Sequence, residues 1–363
     1  MKKILTTALG IAGMICLIAL TTNGQGITTP RTPSPAATTS QTIGISTVTV
    51  NYSRPSVKGR EIWGALVPYG WNVQAFGLGN SAPWRAGANE NTVLTLSHDA
   101  KIQGQAVPAG KYGLFFVINK DNSGEVILSK DYRSWGSFFY DQSHDLFRAP
   151  IKVRDLASST EMLTYDFINL DKTSGELVLN WEKKQFPIKV EFAVDQIVIA
   201  NAEEELKSTV GFSWQGFSSA ANYTLNNKVN LDKGLVWIDK AIAQNKKFQT
   251  LQIKAGILKE MGKTADADKL MTEAVAMANE AELNVYGYQL MGQGEVDKAI
   301  EMLALNTQRF PKSANTWDSL GEAYATKGDK KNAIINFKKS LSLNPTDGVR
   351  ANSEKFLKQF GAL

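Results

Sequence analysis

Between residues 280 and 347 the sequence repeats itself at one fixed offset. Gly287 and Gly321, Ala299 and Ala333, and Pro311 and Pro345 each stand 34 residues apart. Within the second copy, Trp317, Leu320, Gly321, Tyr324, Ala333, Phe337, Ser340 and Pro345 follow in order. Gly321 and Ala333 are small where two helices of a hairpin would cross. Trp317, Tyr324 and Phe337 are large enough to fill the groove between them. Pro345 ends the second helix, because proline cannot extend it. A unit this short cannot bury its apolar face alone, so copies must stack on one another.

The pattern resembles the tetratricopeptide repeat, and the clearest copies are residues 280–313 and 314–347. An earlier copy carries Ala255, Leu258, Ala267, Met271 and Ala274 at the same internal offsets, with a junction two residues shorter. A first, degenerate copy uses Leu225, Gly234, Ile238 and Ala241. A final helix from about Val349 to Phe360 caps the stack. The resemblance implies a helical solenoid over residues 201–363 whose concave face docks a protein or peptide partner. The alternative is that this face packs against the rest of the chain.

Upstream of about residue 196 the period is two rather than 3.6. Thr47 to Tyr52 and Thr92 to Leu96 alternate, and Lys111 to Asn119 is a buried apolar run. Glu125 to Ser129 follows an Asp121–Gly124 turn and completes a hairpin. Ile151 to Val153, Met162 to Ile168, Glu176 to Trp181 and Pro187 to Phe192 add further strands, the last two separated by a turn at Glu182–Gln185. Arg60 to Leu66 reads as one helical turn. Asn201 with Glu203, Glu204 and Glu205 reads as a capped, acidic helix start. These signals predict an antiparallel β-sandwich over 41–196 followed by the helical unit. A chain of 363 residues suits two domains at roughly 100–200 residues each.

The first 24 residues read as a signal peptide: Met1-Lys2-Lys3, an apolar run from Ile4 to Leu20, and small polar residues up to Gly24. Export to the periplasm or cell surface follows, with no membrane span after cleavage. Cys16, the one cysteine, lies inside that run. Lipidation there is disfavoured by the bulky Ile15 before it. Without Cys16 the chain has no disulfide, thiolate nucleophile or cysteine-ligated zinc. Residues 25–40, rich in Thr, Pro and Ser, read as an extended spacer. The formal charge of +5 includes Lys2 and Lys3, and residues 327–363 carry eight Lys/Arg against three Asp/Glu. The remainder is close to neutral. That is a basic end to a solenoid, not a nucleic-acid surface.

Two strings in the strand region are specialised. One runs Asn51-Tyr52-Ser53-Arg54-Pro55, through Lys58-Gly59-Arg60 and Trp63, to Tyr69-Gly70. The other is Trp84-Arg85-Ala86-Gly87-Ala88-Asn89-Glu90. With Pro108-Ala109-Gly110-Lys111-Tyr112 they resemble a family of exported bacterial domains catalogued as domain of unknown function 2911, over about residues 40–190. That family carries no established activity, so the resemblance implies fold extent and export only. An insertion from Trp71 to Pro83 separates the two strings.

Taken as chemistry, Arg54, Arg60 and Arg85 can bind carboxylate or phosphate in a fork. Tyr52, Trp63 and Trp84 supply flat apolar walls, and Asn89 and Glu90 a donor/acceptor pair. Tyr52, Arg54, Arg60, Trp84, Arg85, Asn89 and Glu90 are therefore the candidate ligand-binding residues, for a small polar or glycan ligand. The structural alternative makes Arg85 and Glu90 a buried ion pair, with Asn89 satisfying backbone groups in a tight turn. Glu90 with Asp141 or Asp145 is the weak candidate for a hydrolase pair. His98 reads as exposed, and His144 lies between Asp141 and Asp145 without a further metal ligand nearby. No motif calls for a cofactor or metal. The reading is an exported binding and interaction protein of the cell envelope. A carboxylate-dependent hydrolase and a purely structural envelope protein are the alternatives.

Overall fold

A computed structural model describes residues 33–363. The signal peptide expected over 1–24, with Cys16, and the spacer up to residue 32 lie outside the described residues. The chain divides into two compact units between Phe192 and Ala193.

The first unit holds twelve strands among its described residues. They are β1 (Ala36–Ile43), β2 (Ser46–Ser53), β3 (Asn72–Val73), β4 (Ser81–Ala82), β5 (Val93–Leu96), β6 (Ala100–Ile102), β7 (Gln105–Val107), β8 (Gly110–Ile118), β9 (Ser123–Ser129), β10 (Asp145–Lys152), β11 (Arg154–Ile168) and β12 (Ser174–Glu191). One sheet has the order β1-β2-β5-β8-β9-β10 and the other β11-β12-β6-β7; β3 and β4 pair alone. All pairings are antiparallel. In β2 the alternation is literal: Ser46, Val48, Val50 and Tyr52 are buried and the residues between them are more exposed. The two sheets face each other through aromatic contacts. Tyr52 meets Tyr165 at 4.7 Å between ring centroids, and Phe116 meets Phe186 at 5.0 Å.

Three expectations are corrected here. The spacer does not extend to residue 40, because Ala36–Ile43 is an edge strand. Its Thr and Ser residues are good strand formers, and they bond across to β2: Thr38 Oγ1 donates to Asn51 Oδ1 at 2.8 Å, and the Ser40 and Thr49 hydroxyls lie 2.9 Å apart. Glu176–Trp181 and Pro187–Phe192 are not two strands. β12 runs unbroken through them, and Glu182 absorbs the expected turn as a bulge, with φ +51° and shifted pairing to β11. Arg60–Leu66 forms turns rather than a helix, closed by a bridge between Trp63 and Val67.

The second unit is helical: α1 (Val194–Glu205), α2 (Trp214–Asn227), α3 (Leu231–Gln244), α4 (Phe248–Glu260), α5 (Thr264–Met277), α6 (Glu280–Gly292), α7 (Val296–Arg309), α8 (Ala314–Lys327), α9 (Lys330–Leu341) and α10 (Asp347–Gln359). Consecutive pairs from α2 to α9 form hairpins, and α10 covers the last one. The small residues sit at the crossings. A Cβ on Gly287 would lie 2.6 Å from Leu303, and one on Gly321 would lie 2.8 Å from Phe337. Gly234 plays the same part against Thr224 in the first hairpin, the degenerate copy. The α6 start is a capping box, in which Asn279 and Glu282 each accept a backbone N–H of the other at 3.0 Å. Gly328 ends α8 in the left-handed conformation at φ +85°.

The first helix of this unit corrects a fourth expectation. Asn201 and Glu203–Glu205 lie in its last turns, not at its start. Carboxylates there oppose the helix dipole. Lysines offset them: Lys233 pairs with Glu203 at 2.6 Å and Lys207 with Glu204 at 2.5 Å.

Candidate functional site

Trp84 exchanges both backbone hydrogen bonds with Phe116 of β8, each at 2.9 Å. That single bridge fixes the Trp84–Glu90 string to the larger sheet. Its indole then stacks on Trp181 of β12, at 5.8 Å and 16°, and meets Trp63 edge-on at 5.7 Å. Trp181 is only 1% exposed, and its Nε1 has no hydrogen-bond partner among the described residues. Trp63 is different: its Nε1 donates to Glu182 Oε2 at 3.2 Å.

Beside these rings lies a cavity of about 650 Å³. Residues from three stretches, Pro55 to Arg60, Leu66 to Gln74 and Ala82 to Asn89, wall it, together with Pro33, Ser34, Ser137 and Trp181. Lys58, Arg60 and Arg85 bring three cationic groups. No Asp or Glu is among the described residues that line it.

Arg85 is held on three sides. Its Nη1 donates to the Asn89 carbonyl at 2.7 Å, and its guanidinium carbon lies 4.8 Å from the centre of the Phe138 ring. On the third side stands Gly136, at φ +61°. Burial lowers the Arg85 pKa from its usual value, because desolvation penalises the charged form. The turn that follows is backbone-strained. Ala86 has φ +52° and Asn89 φ +62°. The Ala86 carbonyl is clasped by two hydroxyls, Thr92 Oγ1 and Tyr165 Oη, both at 3.0 Å.

The Trp71–Pro83 insertion forms one wall. Its β3–β4 hairpin docks on residues 136–139: Phe76 meets Phe138 at 5.6 Å, and the Leu78 N–H donates to the Phe138 carbonyl at 2.9 Å. At its base, Arg148 lies 4.7 Å over the Trp71 ring and donates to Asp145 Oδ2 at 2.7 Å. Tyr140 donates to the same oxygen at 2.6 Å. Burial, then this carboxylate, pushes the Tyr140 phenol far up.

The seven candidate residues separate into three groups. Arg60, Trp84, Arg85 and Asn89 line the cavity. Within that group, Arg60 also donates to the carbonyls of Val57, at 3.1 Å, and Ser56, and Asn89 Nδ2 donates to the Ser34 carbonyl at 3.3 Å. Tyr52 and Glu90 line a second, shallower depression with Ala36, Asn51 and Asn91. Arg54 belongs to neither. Its Nε donates to the Leu163 carbonyl at 3.0 Å and its Nη2 to Thr164 Oγ1 at 2.6 Å, which ties β2 to β11. Among the described residues the ion pairs include none between Arg85 and Glu90. Glu90 is the one carboxylate among the described residues lining its depression. Asp145 is committed to Tyr140 and Arg148, and Asp141 accepts from Ser143. Neither depression is lined by two carboxylates among the described residues.

His144 Nδ1 pairs with Asp131 Oδ2, and that hydrogen bond raises its pKa. Among the described residues no three His, Cys, Asp or Glu side chains converge in a way that could hold a metal ion. No helix of the described residues is long and apolar enough to cross a membrane. The sequence reading quoted Lys58 within its motif but did not single it out, and it placed Trp181 only as the end of a strand.

Residues 34–190 match the sequence model of DUF2911, described as a protein of unknown function, and residues 314–347 match a tetratricopeptide repeat. A 59-residue stretch is 37% identical to cellulose synthase operon protein C of Escherichia coli strain K12 and to the putative protein of that name in Escherichia coli O157:H7. It covers 16% of this chain and 5% of those proteins, so the chain spans about a twentieth of the length of the curated relatives it matches. Among solved structures, YrrB, titled a TPR protein with an unusual peptide-binding site, is 16% identical. It covers 44% of this chain, and 84% of its own length is matched, at a TM-score of 0.28. MamA is 18% identical over 42% of this chain and 89% of its own, also at 0.28.

Proposed function

We propose that this chain is a binding and interaction protein. Its tetratricopeptide-type hairpins dock a protein or peptide partner, and its β-sandwich unit holds a small polar ligand in the cavity beside Trp84 and Arg85. One observation carries the ligand half: a cavity of about 650 Å³ with aromatic walls and a fixed, half-buried guanidinium. Its size is that of small-molecule sites, which are mostly apolar with a few placed polar groups. The partner half rests on the repeats. Side by side along the hairpins, α6 and α8 present polar groups that bridge neighbours, as in the contact of the Tyr288 hydroxyl with Ser319 at 3.3 Å. The basic, apolar, then small N-terminal sequence supports export to the cell envelope.

The ligand half is tested by thermal-shift titration of the chain from residue 25 onward against a small-molecule library. A hit should lose its effect in Trp84→Ala. A library-wide absence of shifts, or hits indifferent to that substitution, refutes it. The partner half is tested by pull-down with Tyr288→Ala and Gln252→Ala in the same chain. Gln252 donates to Gln289 of the next hairpin at 2.8 Å. Partners retained at full level by both variants would refute docking on this face.

A further inference from the structure

We infer that the ligand of this cavity carries an oxyanion, a carboxylate or a phosphate group, seated against Arg85 with Lys58 beside it. The inference rests on the reading that the cavity binds a small ligand and specifies its chemistry.

Charge comes first. Three cationic side chains face the cavity and no acid does, among the described residues. Arg85 is half-buried, and a guanidinium partly withdrawn from water loses hydration that a matching charge offsets. Among the described residues Arg85 has a carbonyl and a ring face as partners, and neither carries a formal negative charge. Those contacts hold the guanidinium in place and use one of its five N–H donors. An oxyanion could take a remaining pair of donors in a fork.

The donor inventory points the same way. Trp181 lines the cavity, and its buried indole N–H has no acceptor among the described residues. Indole nitrogen can only donate, as can guanidinium and ammonium. Four lining groups are thus donors alone, and of these Arg60 already gives to the carbonyls of Val57 and Ser56. A neutral sugar brings hydroxyls that both give and take, and leaves the charge unmatched. A carboxylate or phosphate brings acceptors and charge together. Trp84, half-buried and stacked over Trp181, offers its flat face to the body of the same molecule.

Calorimetry on the full chain decides, with inorganic phosphate, acetate, glucose 6-phosphate, glucuronate and glucose as probes. Glucuronate and glucose differ by a carboxylate, and glucose 6-phosphate and glucose by a phosphate. Either anionic sugar should bind about tenfold or more tightly than glucose, and the tighter of the two identifies the source of the oxyanion. Binding should weaken with added sodium chloride. It should fall about tenfold in Arg85→Gln and, should that variant misfold, in Lys58→Gln. Lys120→Gln, at the exposed turn after β8, removes the same charge elsewhere and should leave binding unchanged. In the ¹H–¹⁵N spectrum, the Trp181 indole resonance should move on adding the anion. Glucose binding as well as both anionic sugars would overturn the oxyanion and leave the cavity reading standing. Silence from all five probes would overturn both. Anion binding indifferent to Arg85→Gln and Lys58→Gln would place the anion elsewhere and overturn the inference.

Discussion

A Cβ built on Gly136 would lie 2.4 Å from the guanidinium carbon of Arg85. The two residues occupy one space, and only glycine at 136 leaves it to the arginine. Its φ of +61° independently favours glycine. Gly136→Ala should therefore cost about 1–2 kcal/mol from the backbone alone and displace Arg85 as well. Chemical denaturation should show the lower stability, and anion titration should show binding weakened together with it. A variant with unchanged stability and unchanged binding would show that Arg85 has room the geometry denies it.

The solenoid contains two glycines with opposite expectations. Gly321 lies against Phe337, whose ring atoms would be 2.8–3.0 Å from an added Cβ, whereas Gly348 has nothing within 4 Å. Phe337 is fully buried and stacks on Phe356 at 4.9 Å, so it has little freedom to yield. Gly321→Ala should destabilise by roughly 1–3 kcal/mol through overpacking. Gly348→Ala, in the first turn of α10, should stabilise by up to about 1 kcal/mol through helix propensity. Urea midpoints of the helical unit measure both.

Asp318 and Glu322 share one donor on α10. Asn352 Nδ2 reaches Asp318 Oδ2 at 2.8 Å and Glu322 Oε1 at 2.5 Å, while Ser353 donates to the other Asp318 oxygen. Burial raises both pKa values despite these bonds. Raised carboxyl pKa values mean that the folded state holds protons the unfolded state has already released. Stability from this pair should therefore fall as pH rises from about 4, the unfolded value, through the raised folded values. Glu322→Gln should gain stability over the parent at pH 7 and gain less at pH 4. An equal change at both pH values would mean that Glu322 does not titrate abnormally.

The edge strand makes a fourth test. Beginning the chain at residue 44 removes β1, uncovers the outer edge of β2 and breaks the Thr39 Oγ1 bond to the Tyr165 carbonyl at 3.1 Å. A lower melting temperature and concentration-dependent self-association, read by light scattering, are expected, because an open strand edge recruits other chains. A truncated chain that stays monomeric at the parent's melting temperature would reduce β1 to the spacer its composition suggested.

The helical unit was the more legible half, since its evidence is local. Gly321, Ala333 and Phe337 are close in sequence, and their contact follows from helix geometry alone. The cavity was legible only in part. Trp84, Arg85 and Asn89 share one turn, so their proximity could be read from the string. Arg54 and Arg60 also share one string, yet β11 captures Arg54 through a register that no local pattern encodes. The place of Trp181 in the cavity was invisible for the same reason: it enters through β12, and its role depends on sheet facing sheet. Ala36–Ser40 was misread because Thr and Ser suit a solvated spacer and an exposed strand face equally well.

Ala86 adopts a backbone conformation that alanine disfavours, inside a turn that the Arg85 bond to the Asn89 carbonyl spans. Two hydroxyls hold its carbonyl, one on Thr92 and one on Tyr165, which lies fully buried between the sheets. The loop beside the cavity is thus a sprung part whose latch sits in the interior. Its shape is tied through Tyr165 to the second sheet, so the seating of one sheet on the other sets where Arg85 stands.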